Sequence, residues 1–402
     1  MKITMPDQLP ISRRYDALMG LDVKRKAVPP LPASSRPRVL CATRYAALGA
    51  SSRLRLAQYL PYLRGAGLDV TPRAFLSDSY LTALYKGQSR LRASASAYLR
   101  AFGAPWAARR HDLLWIEKEY LPWLPYWVER LAIGRTPYIL DLDDAWSLRY
   151  EQASSALIRR LFGDKFGKLV RGAALTVTAN ETLYRWAQAQ GAARVLHLPT
   201  VIDLAHYHPT PPPDGVFTIG WIGTPLTATY LAQIAAPLRQ LAAEAPLKLR
   251  IIGAPAAQVE GVACENLPWS EATEAKLIGE CHAGIMPLPD DDWANGKSGY
   301  KLIQYMAMAR PAIGSAVGAN NQIILHGQTG YLTHAPQDWL NTLRALRDNP
   351  AHAQAMGHAA RARVEQTYCL DVTAPLLIDS INAILDNIAA HKARNGLVAP
   401  AG

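Results

Sequence analysis

The sequence predicts an α/β protein built from two doubly wound domains, each with a parallel sheet covered by helices. Three observations lead to this prediction. Short apolar, strand-like runs alternate with helical stretches from residue 38 to residue 203, a Pro-rich stretch follows at 206–215, and the alternation then restarts. Strands that alternate with helices of this length are typical of parallel sheets. We therefore expect a ligand cleft between two domains, at the carboxyl ends of their strands.

The first half contains six runs with the length and composition of β-strands. They cover residues 38–43, 68–75, 112–117, 138–144, 174–179 and 194–203. Between the first two runs, a helix begins near Gly49 and Ser51 or Ser52, carries an apolar face, and ends at Gly65 and Gly67. This order is a β–α–β unit, which supports a parallel sheet.

In the second half, strands are predicted within residues 217–225, 247–255, 283–289 and 311–315, with helices between them and helices in the last 65 or so residues. The expected domains are a basic, Pro-rich tail (1–37), a first Rossmann-like domain (38–205), a linker (206–215), a second Rossmann-like domain (216–370), and a last helix (371–395). For this last helix, a return to the first domain is an open alternative.

The net charge of +11 is concentrated in one part of the chain. Residues 38–110 hold 12 Lys and Arg but 2 Asp and Glu, and residues 1–37 hold 7 and 3. A one-sided positive field favours an anionic partner such as lipid headgroups or nucleic acid, although a solvated Arg-rich face is the simpler reading. Because no RNA- or DNA-binding module is recognisable, no nucleic-acid partner is expected.

Residues 79–110 mix basic and apolar side chains, which predicts either an amphipathic segment at a membrane surface or a helix packed on its own domain. Residues 1–10 contain no apolar run of the secretory type, and no stretch has 18 uninterrupted apolar residues. Four cysteines, at 41, 264, 281 and 369, lack metal-like spacing. The expected location is the cytoplasm, on the inner face of a bacterial cytoplasmic membrane.

Residues 290–315 contain the densest set of candidate binding residues. A P-loop is excluded because Asp291 stands where that motif needs a glycine, and a dinucleotide fingerprint fails at Gly220 and Gly223. Two glycines, Gly296 and Gly299, allow a ligand to approach the backbone that opens the next helix. Lys297 and Lys301 can neutralise a diphosphate there without a metal, and Gln304, about one turn later, can bond a hydroxyl-rich group.

Two acidic clusters, residues 141–144 and 290–292, have the composition of divalent-metal sites. They lie in different predicted domains, and the first is far along the chain from the lysine loop. We therefore expect Asp143 and Asp144 to line the cleft without a metal, and the second cluster to be a loop.

The order of several segments resembles that of a retaining nucleotide-sugar glycosyltransferase with the GT-B fold, family 4, over roughly residues 38–385. The resemblance rests on GASSRLRLAQYLPYLRGAGLDV, YILDLDDAW, LPTVIDLAHYHP, IGWIGTPLTATYL, GIMPLPDDDWANGKSGYKLIQYMAMARPAIGSAVG and GQTGYL. It implies two Rossmann-like domains that face each other across a cleft. The family usually carries two glutamates eight residues apart, whereas Gly296 and Gln304 occupy those positions here, as in a subgroup with Gly-Lys-x-Gly-Tyr-Lys-Leu-x-Gln-Tyr-Met.

The resemblance also implies roles for individual residues. Gln304 takes the position that contacts the nucleotide ribose, and the family's usual Arg and Lys after the first strand of the second domain are absent, so Lys297 and Lys301 are expected to replace them. Donor-binding residues are expected to be Gly223, Thr224, Lys297, Ser298, Gly299, Tyr300, Lys301 and Gln304. Glu117 and Lys118 are the catalytic candidates, and the acceptor side is expected to include Arg53, Asp143, Asp144 and Asn180.

The implied activity is metal-free, retaining transfer of a sugar from a nucleotide-diphosphate sugar to a glycan or lipid-linked acceptor, in cell-surface polysaccharide or lipopolysaccharide assembly. No cofactor is expected. Two alternatives remain at this point: a nucleotide-sugar epimerase or phosphorylase of the same fold, and a non-catalytic basic protein that binds membranes or nucleic acid.

Overall fold

The computed structural model describes residues 36–394 and divides the chain into two compact units. The first unit contains the described residues up to Pro199 and those from Thr373 onward, and the second unit is Thr200–Val372. The division therefore falls six residues before the predicted end of the first domain at residue 205. Most of the last helix is assigned to the first unit.

The first unit contains a six-stranded parallel sheet in the order β2-β1-β3-β4-β5-β6. Its strands are β1 (Arg38–Tyr45), β2 (Asp69–Leu76), β3 (Leu113–Glu117), β4 (Tyr138–Leu142), β5 (Leu175–Thr178) and β6 (Val195–His197). Every residue of β3, β4 and β5 is buried. Strands that are buried along their whole length are expected when helices cover both faces of a parallel sheet.

The helices of the first unit connect and cover these strands. They are α1 (Ala50–Arg55), α2 (Leu60–Gly65), α3 (Asp78–Tyr85), α4 (Leu91–Ala101), α5 (Ala104–Arg109), α6 (Tyr126–Ile133), α7 (Leu148–Glu151), α8 (Ala156–Phe162), α9 (Lys165–Gly172) and α10 (Glu181–Ala189), with a 3₁₀ turn at Ala57–Tyr59. The predicted amphipathic segment 79–110 is thus three short helices, α3 to α5, because Gly87 and Gly103 interrupt it.

The second unit contains another six-stranded parallel sheet, in the order β12-β11-β10-β7-β8-β9. Its strands are β7 (Phe217–Ile222), β8 (Leu247–Ile252), β9 (Ala263–Leu267), β10 (Ala283–Met286), β11 (Ala312–Ser315) and β12 (Gly330–Thr333). The edge strands β9 and β12 were not among the predicted strands. They are short, and most of their residues are half-buried, so they lack the apolar composition that identified the central strands.

The helices of the second unit follow the same alternation. They are α11 (Pro225–Ala228), α12 (Ala235–Glu244), α13 (Glu271–Gly279), α14 (Asp292–Asn295), α15 (Tyr300–Ala307), α16 (Asn320–Ile323), α17 (Pro336–Asp348) and α18 (Pro350–Thr367), with 3₁₀ turns at Leu204–His206 and Thr229–Ile234. The core of the unit lies between the sheet and α12 and α17, where Trp221, Leu238 and Leu343 are almost completely buried.

The stretch predicted as a linker, residues 206–215, packs on the second unit. Tyr207 is buried, and the Arg310 guanidinium donates hydrogen bonds to the backbone oxygens of Thr210 (2.9 Å) and Pro211 (3.0 Å). The Pro-rich composition therefore belongs to an extended segment held by specific contacts. Its prolines lack backbone N–H groups and cannot donate the hydrogen bonds of a sheet. Such a segment is therefore unsuited to a strand and suited to an extended path along the surface.

The last helix, α19 (Leu370–Arg394), is long and apolar enough, by length and composition, to cross a membrane. The core helix of a soluble protein passes the same test. Here Ala374, Leu377 and Ile381 are fully buried, and the Thr373 hydroxyl forms a 2.9 Å hydrogen bond with the Tyr59 hydroxyl of the first unit. These contacts favour a helix that packs against protein.

Candidate active site

The second sheet has a topological switch point between β7 and β10. These strands are neighbours, but the chain continues from β7 toward β8 and from β10 toward β11, on opposite sides. In open α/β sheets, ligands bind at such a point, outside the carboxyl ends of the strands. The loop after β7 contains Gly223 and Thr224, and the loop after β10 leads to Lys297 and Lys301. The topology thus brings the loops that carry the predicted donor-binding residues to the carboxyl ends of β7 and β10.

Both lysines of the predicted diphosphate site lie against tryptophan rings. The Lys301 ammonium, in the first turn of α15, is 5.5 Å from the centre of the Trp221 ring on β7. The Lys297 ammonium is 5.4 Å from the centre of the Trp293 ring on α14. Such contacts attract a cation to the ring face and limit the freedom of a long side chain. The two ammonium groups are therefore held near the switch point, and their side chains do not move freely in solvent.

The backbone at Gly299 requires a glycine. Its φ is +69°, in the left-handed region, and a Cβ placed there would lie 2.3 Å from the Ile323 Cδ1 atom. This conformation directs the chain into α15, where Tyr300 begins the first turn and Ser298 precedes it. The first amides of a helix have no partner within the helix, and the helix dipole favours an anion beside them.

The loop after β7 is equally tight. A Cβ on Gly223 would lie 2.7 Å from both the Thr227 Oγ1 atom and a Trp221 ring carbon. Thr224 is exposed and precedes α11, and its amide donates to the Thr227 hydroxyl at 3.1 Å. Because residue 223 has no side chain, a ligand can approach this backbone closely.

Gln304 is buried in the middle of α15, with 4% of its surface exposed. Its Nε2 atom donates to the Tyr207 hydroxyl at 3.2 Å, and that hydroxyl donates to the Glu274 carboxylate at 2.5 Å. The second Glu274 oxygen accepts from the Trp269 indole at 2.6 Å. Burial, with Tyr300 and Glu274 nearby, raises the pKa of Tyr207 well above its usual range, so the phenol keeps the proton that it donates. The amide predicted to meet a ribose is thus oriented by a protein network.

The acidic cluster before the lysine loop is engaged in local structure. The Asp291 carboxylate caps α14 by accepting from the Ala294 amide at 2.7 Å, and the Asp290 carboxylate accepts from the Asn295 side chain at 2.9 Å. Within residues 36–394, no group of three or more His, Cys, Asp or Glu side chains is arranged to hold a metal ion. Residues 290–292 therefore shape the loop that leads to Lys297.

In the first unit, Glu117 and Lys118 lie at the corresponding switch point, between β1 and β3. Both are buried, at 0% and 1% exposure. One Glu117 oxygen accepts from the Arg44 amide at 2.9 Å and from the Ser52 hydroxyl at 2.6 Å, and the other lies 3.1 Å from the Lys118 ammonium. The buried Glu117 carboxylate thus has three donors. This geometry favours a role in fixing the ends of the strands and disfavours direct attack on a substrate.

Lys118 joins two carboxylates. Its ammonium is 2.9 Å from Asp143, at the end of β4, as well as 3.1 Å from Glu117. Burial disfavours the ammonium, but Asp143 and Glu117 outweigh it and raise the pKa of Lys118, which stays charged. For Asp143, burial opposes ionisation, yet Lys118 prevails and lowers its pKa. Lys118 also has φ of +64°, an uncommon conformation for a residue with a side chain.

Buried ion pairs around this cluster were not predicted from the sequence. Arg55 on α1 forms a two-point pair with Asp141 on β4, at 2.8 and 3.2 Å. A second group contains Arg44, Glu119, Lys165 and Glu129, with N–O distances of 2.6 to 2.8 Å. A partial signal was present, because Asp141 belongs to the acidic cluster 141–144 and Glu119 lies two residues after the predicted strand 112–117. Nothing local identified their partners, which are 46 to 86 residues away.

The remaining predicted acceptor-side residues have different environments. Asn180 is buried and caps α10 by accepting from the Leu183 amide at 2.8 Å. Asp144 is half-buried directly after Asp143, and Arg53 is half-buried on α1, with its guanidinium 3.5 Å from the Ala47 oxygen. The structure therefore gives Asn180 a clear helix-capping function and leaves Arg53 and Asp144 accessible near strand ends.

Two parallel sheets with switch-point sites define a class of two-domain α/β protein, and known structures of this class are similar to the chain. Sucrose-phosphate synthase from Thermosynechococcus elongatus aligns with a TM-score of 0.65 at 12% identity, over 88% of this chain and 100% of that one. HepE from Anabaena, in complex with UDP and glucose, aligns with a TM-score of 0.65 at 14% identity, over 87% and 100%. The predicted GT-B fold is confirmed.

The family-model match lies in the second unit. Residues 216–349 match the family model described as Glycosyl transferases group 1. A D-inositol 3-phosphate glycosyltransferase from Pseudarthrobacter chlorophenolicus is 26% identical over 176 residues, which is 40% of this chain and 40% of that protein. The chain thus spans about two fifths of the length of the curated relatives it matches. These matches support a glycosyltransferase and leave the particular reaction to be proposed.

Proposed function

We propose that the protein is a glycosyltransferase that moves a sugar from a nucleotide-diphosphate sugar to a glycan or lipid-linked acceptor, with retention of configuration. The observation that carries the proposal is the position of Lys297, Gly299 and Lys301. They lie at the switch point of the second sheet, inside the segment that matches the Glycosyl transferases group 1 model. The GT-B structure of HepE in complex with UDP-glucose makes a uridine nucleotide sugar the first donor to test.

In this proposal the second unit stabilises the departing nucleotide diphosphate. Negative charge grows on the diphosphate as the glycosidic bond breaks, and fixed cations and backbone amides stabilise that charge most effectively when they need no rearrangement. The Lys297 and Lys301 ammonium groups and the first-turn amides of α15 supply these interactions. Gln304, held by Tyr207, would bond the ribose. The proposal assigns charge neutralisation to these groups, so transfer is expected to persist in the presence of EDTA.

In the first unit, we assign Glu117 and Lys118 to positioning the ends of β1, β3 and β4 rather than to bond formation. Arg53 and Asp144, which are half-buried, are the proposed acceptor-facing groups. The attack by an acceptor hydroxyl on the same face as the leaving phosphate lets a phosphate oxygen accept the proton. This route requires no enzyme carboxylate as a nucleophile.

The acceptor is proposed to be attached to lipid, and the protein to lie on the inner face of a bacterial cytoplasmic membrane, in polysaccharide or lipopolysaccharide assembly. The support is the excess of Lys and Arg in residues 38–110 together with exposed large apolar side chains on and beside α4. These are Leu91 (79% exposed), Leu99 (68%) and Phe102 (76%). Basic residues near an anionic surface attract it by about 1 kcal/mol each.

The direct test is a thermal-shift screen of nucleoside diphosphates and their sugars. A ligand that binds the folded protein raises the unfolding midpoint in proportion to the logarithm of its concentration. We expect UDP or another nucleoside diphosphate to do so, and the matching nucleotide sugar to be consumed only when an acceptor is added. An epimerised nucleotide sugar formed without acceptor would support the epimerase alternative, and no stabilisation by any nucleotide would refute the proposal.

A further inference from the structure

A basic cavity lies at one end of the strands of the first sheet, and Glu117 lies at the other end. Its volume is ≈ 620 Å³, and its lining includes Arg38, Arg109, His111, Asp112, Arg135 and Lys392. Arg38 begins β1, and Asp112 and Pro137 directly precede β3 and β4. The cavity therefore sits at the amino-terminal ends of these parallel strands, whereas the candidate active site belongs to their carboxyl ends.

The lining has a marked excess of positive charge. Four Arg and Lys side chains line the cavity together with one carboxylate, Asp112, which lies 3.8 Å from the Arg38 guanidinium and 3.7 Å from the Lys392 ammonium. Arg109 and Arg135 are exposed, and neither has an acidic partner within residues 36–394. Guanidinium groups bind phosphate oxygens through paired N–H donors, so two of them beside a cavity favour a phosphate group.

Large apolar side chains are exposed on α5, which contains Arg109, and on α6, which ends two residues before Arg135. On α5, Trp106 is 63% exposed and precedes Arg109 by three residues, which places both on one face of the helix. On α6, Trp127 and Leu131 are 65% and 66% exposed and lie four residues apart, directly before the turn that carries Arg135. The two helices pack against each other.

We propose that this cavity binds the phosphate of an anionic phospholipid headgroup, with Trp106, Trp127 and Leu131 inserted among the lipids beside it. A free phosphate would use the arginines but not the exposed apolar residues. Exposed tryptophan and leucine next to arginine match the boundary between headgroups and acyl chains. The inference rests on the membrane location proposed above, and it adds the site that makes contact.

The test uses the full-length protein and vesicles of phosphatidylcholine, either alone or mixed with phosphatidylglycerol. We expect binding to the mixed vesicles only. Arg109→Gln/Arg135→Gln should lower the partition coefficient about tenfold or more, because each basic residue near the surface contributes on the order of 1 kcal/mol. Trp106→Ala should lower it severalfold without changing net charge.

The matched control is Arg160→Gln/Arg194→Gln, which removes the same charge from exposed positions of the same unit that do not line the cavity. If the control lowers binding as much as the cavity variant, the site is refuted and a diffuse basic surface explains the binding. If the wild type binds no anionic vesicle, the membrane location fails as well. Saturable binding of glycerol phosphate without vesicle binding would show a free phosphate as the ligand and would also overturn the proposal. Nucleotide-sugar turnover, measured separately, reports on the transfer reaction.

Discussion

The Gln304 side-chain amide donates to the Tyr207 hydroxyl across 3.2 Å, and this bond joins the middle of α15 to the stretch that the sequence predicted as a linker. Both residues are buried. Tyr207 in turn donates to Glu274, so its hydroxyl connects an amide and a carboxylate. A residue of the proposed ribose site therefore owes its orientation to the segment that precedes the second sheet.

Replacing Tyr207 by Phe tests this dependence. The change removes one oxygen, leaves the ring in place, and deprives both Gln304 and Glu274 of a buried partner. We expect a loss of about 1–3 kcal/mol in unfolding free energy. We also expect a severalfold weaker affinity for the nucleoside diphosphate, measured by calorimetry. Tyr331→Phe is the control, because its hydroxyl bonds an exposed His352 elsewhere in the same unit. Equal nucleotide affinity in wild type and Tyr207→Phe would show that Gln304 needs no such support.

The limits of prediction from sequence are visible at these positions. The central strands were predictable because β3, β4 and β7 are rich in apolar residues. The site segment was predictable because Gly299, Lys297 and Lys301 are close in sequence. Gln304 and Tyr207 are 97 residues apart, and Lys118 and Asp143 directly follow different strands, β3 and β4. Such contacts depend on strand order and register, which local periodicity does not specify. Pro-rich composition also could not distinguish a free linker from a segment held by Arg310.

The two lysines of the proposed diphosphate site give a second prediction. Lys297→Ala and Lys301→Ala should each weaken binding of UDP or another recognised nucleoside diphosphate about tenfold or more, because a hydrogen bond to a charged group contributes about 1.5–3 kcal/mol. Turnover should fall further, since the charge on the leaving group grows during the reaction. Titration calorimetry and sugar-transfer assays measure the two effects.

Lys276→Ala is the control for the lysine variants, because it removes an exposed lysine from α13 in the same unit. It should leave both affinity and turnover unchanged. Normal sugar transfer by both Lys297→Ala and Lys301→Ala, with an intact fold, would refute the diphosphate assignment.

At Lys118, two substitutions separate the contributions that the side-chain charge and the backbone conformation make to the unfolding free energy. Lys118→Ala removes the ammonium that compensates Glu117 and Asp143, and loss of one partner of a buried ion pair costs about 3–5 kcal/mol. Lys118→Gly removes the same charge but relieves the positive φ of +64°. We expect the Gly variant to be more stable than the Ala variant by ~1 kcal/mol in denaturant unfolding. An Ala variant as stable as wild type would show that the Lys118 ammonium does not fix the positions of the strand ends.

The buried group around Lys165 predicts a dependence of stability on acid. The Lys165 ammonium lies 2.6 Å from Glu119 and 2.8 Å from Glu129, and Arg44 lies 2.6 Å from Glu119. Burial disfavours the Glu119 carboxylate, but Lys165 and Arg44 outweigh it and lower its pKa. As pH falls below the unfolded value of about 4.3, the unfolded chain takes up the proton first. The stabilisation by Glu119 is therefore fully present at neutral pH. It declines as the pH falls below the unfolded-state pKa of about 4.3, and the decline ends once the pH has passed the lower pKa of the folded state.

Glu119→Gln tests the sign of this effect. At neutral pH the variant should lose about 3 kcal/mol of unfolding free energy in the transition of the first unit, because two buried cations lose a charged partner. This difference from wild type should shrink as pH falls through the acid range, since protonation makes the wild-type side chain neutral as well. Asp386→Asn, at an exposed position of the same unit, should show no comparable change. A difference between wild type and Glu119→Gln that is constant from neutral to acid pH would mean that the carboxylate charge does not hold this cluster together.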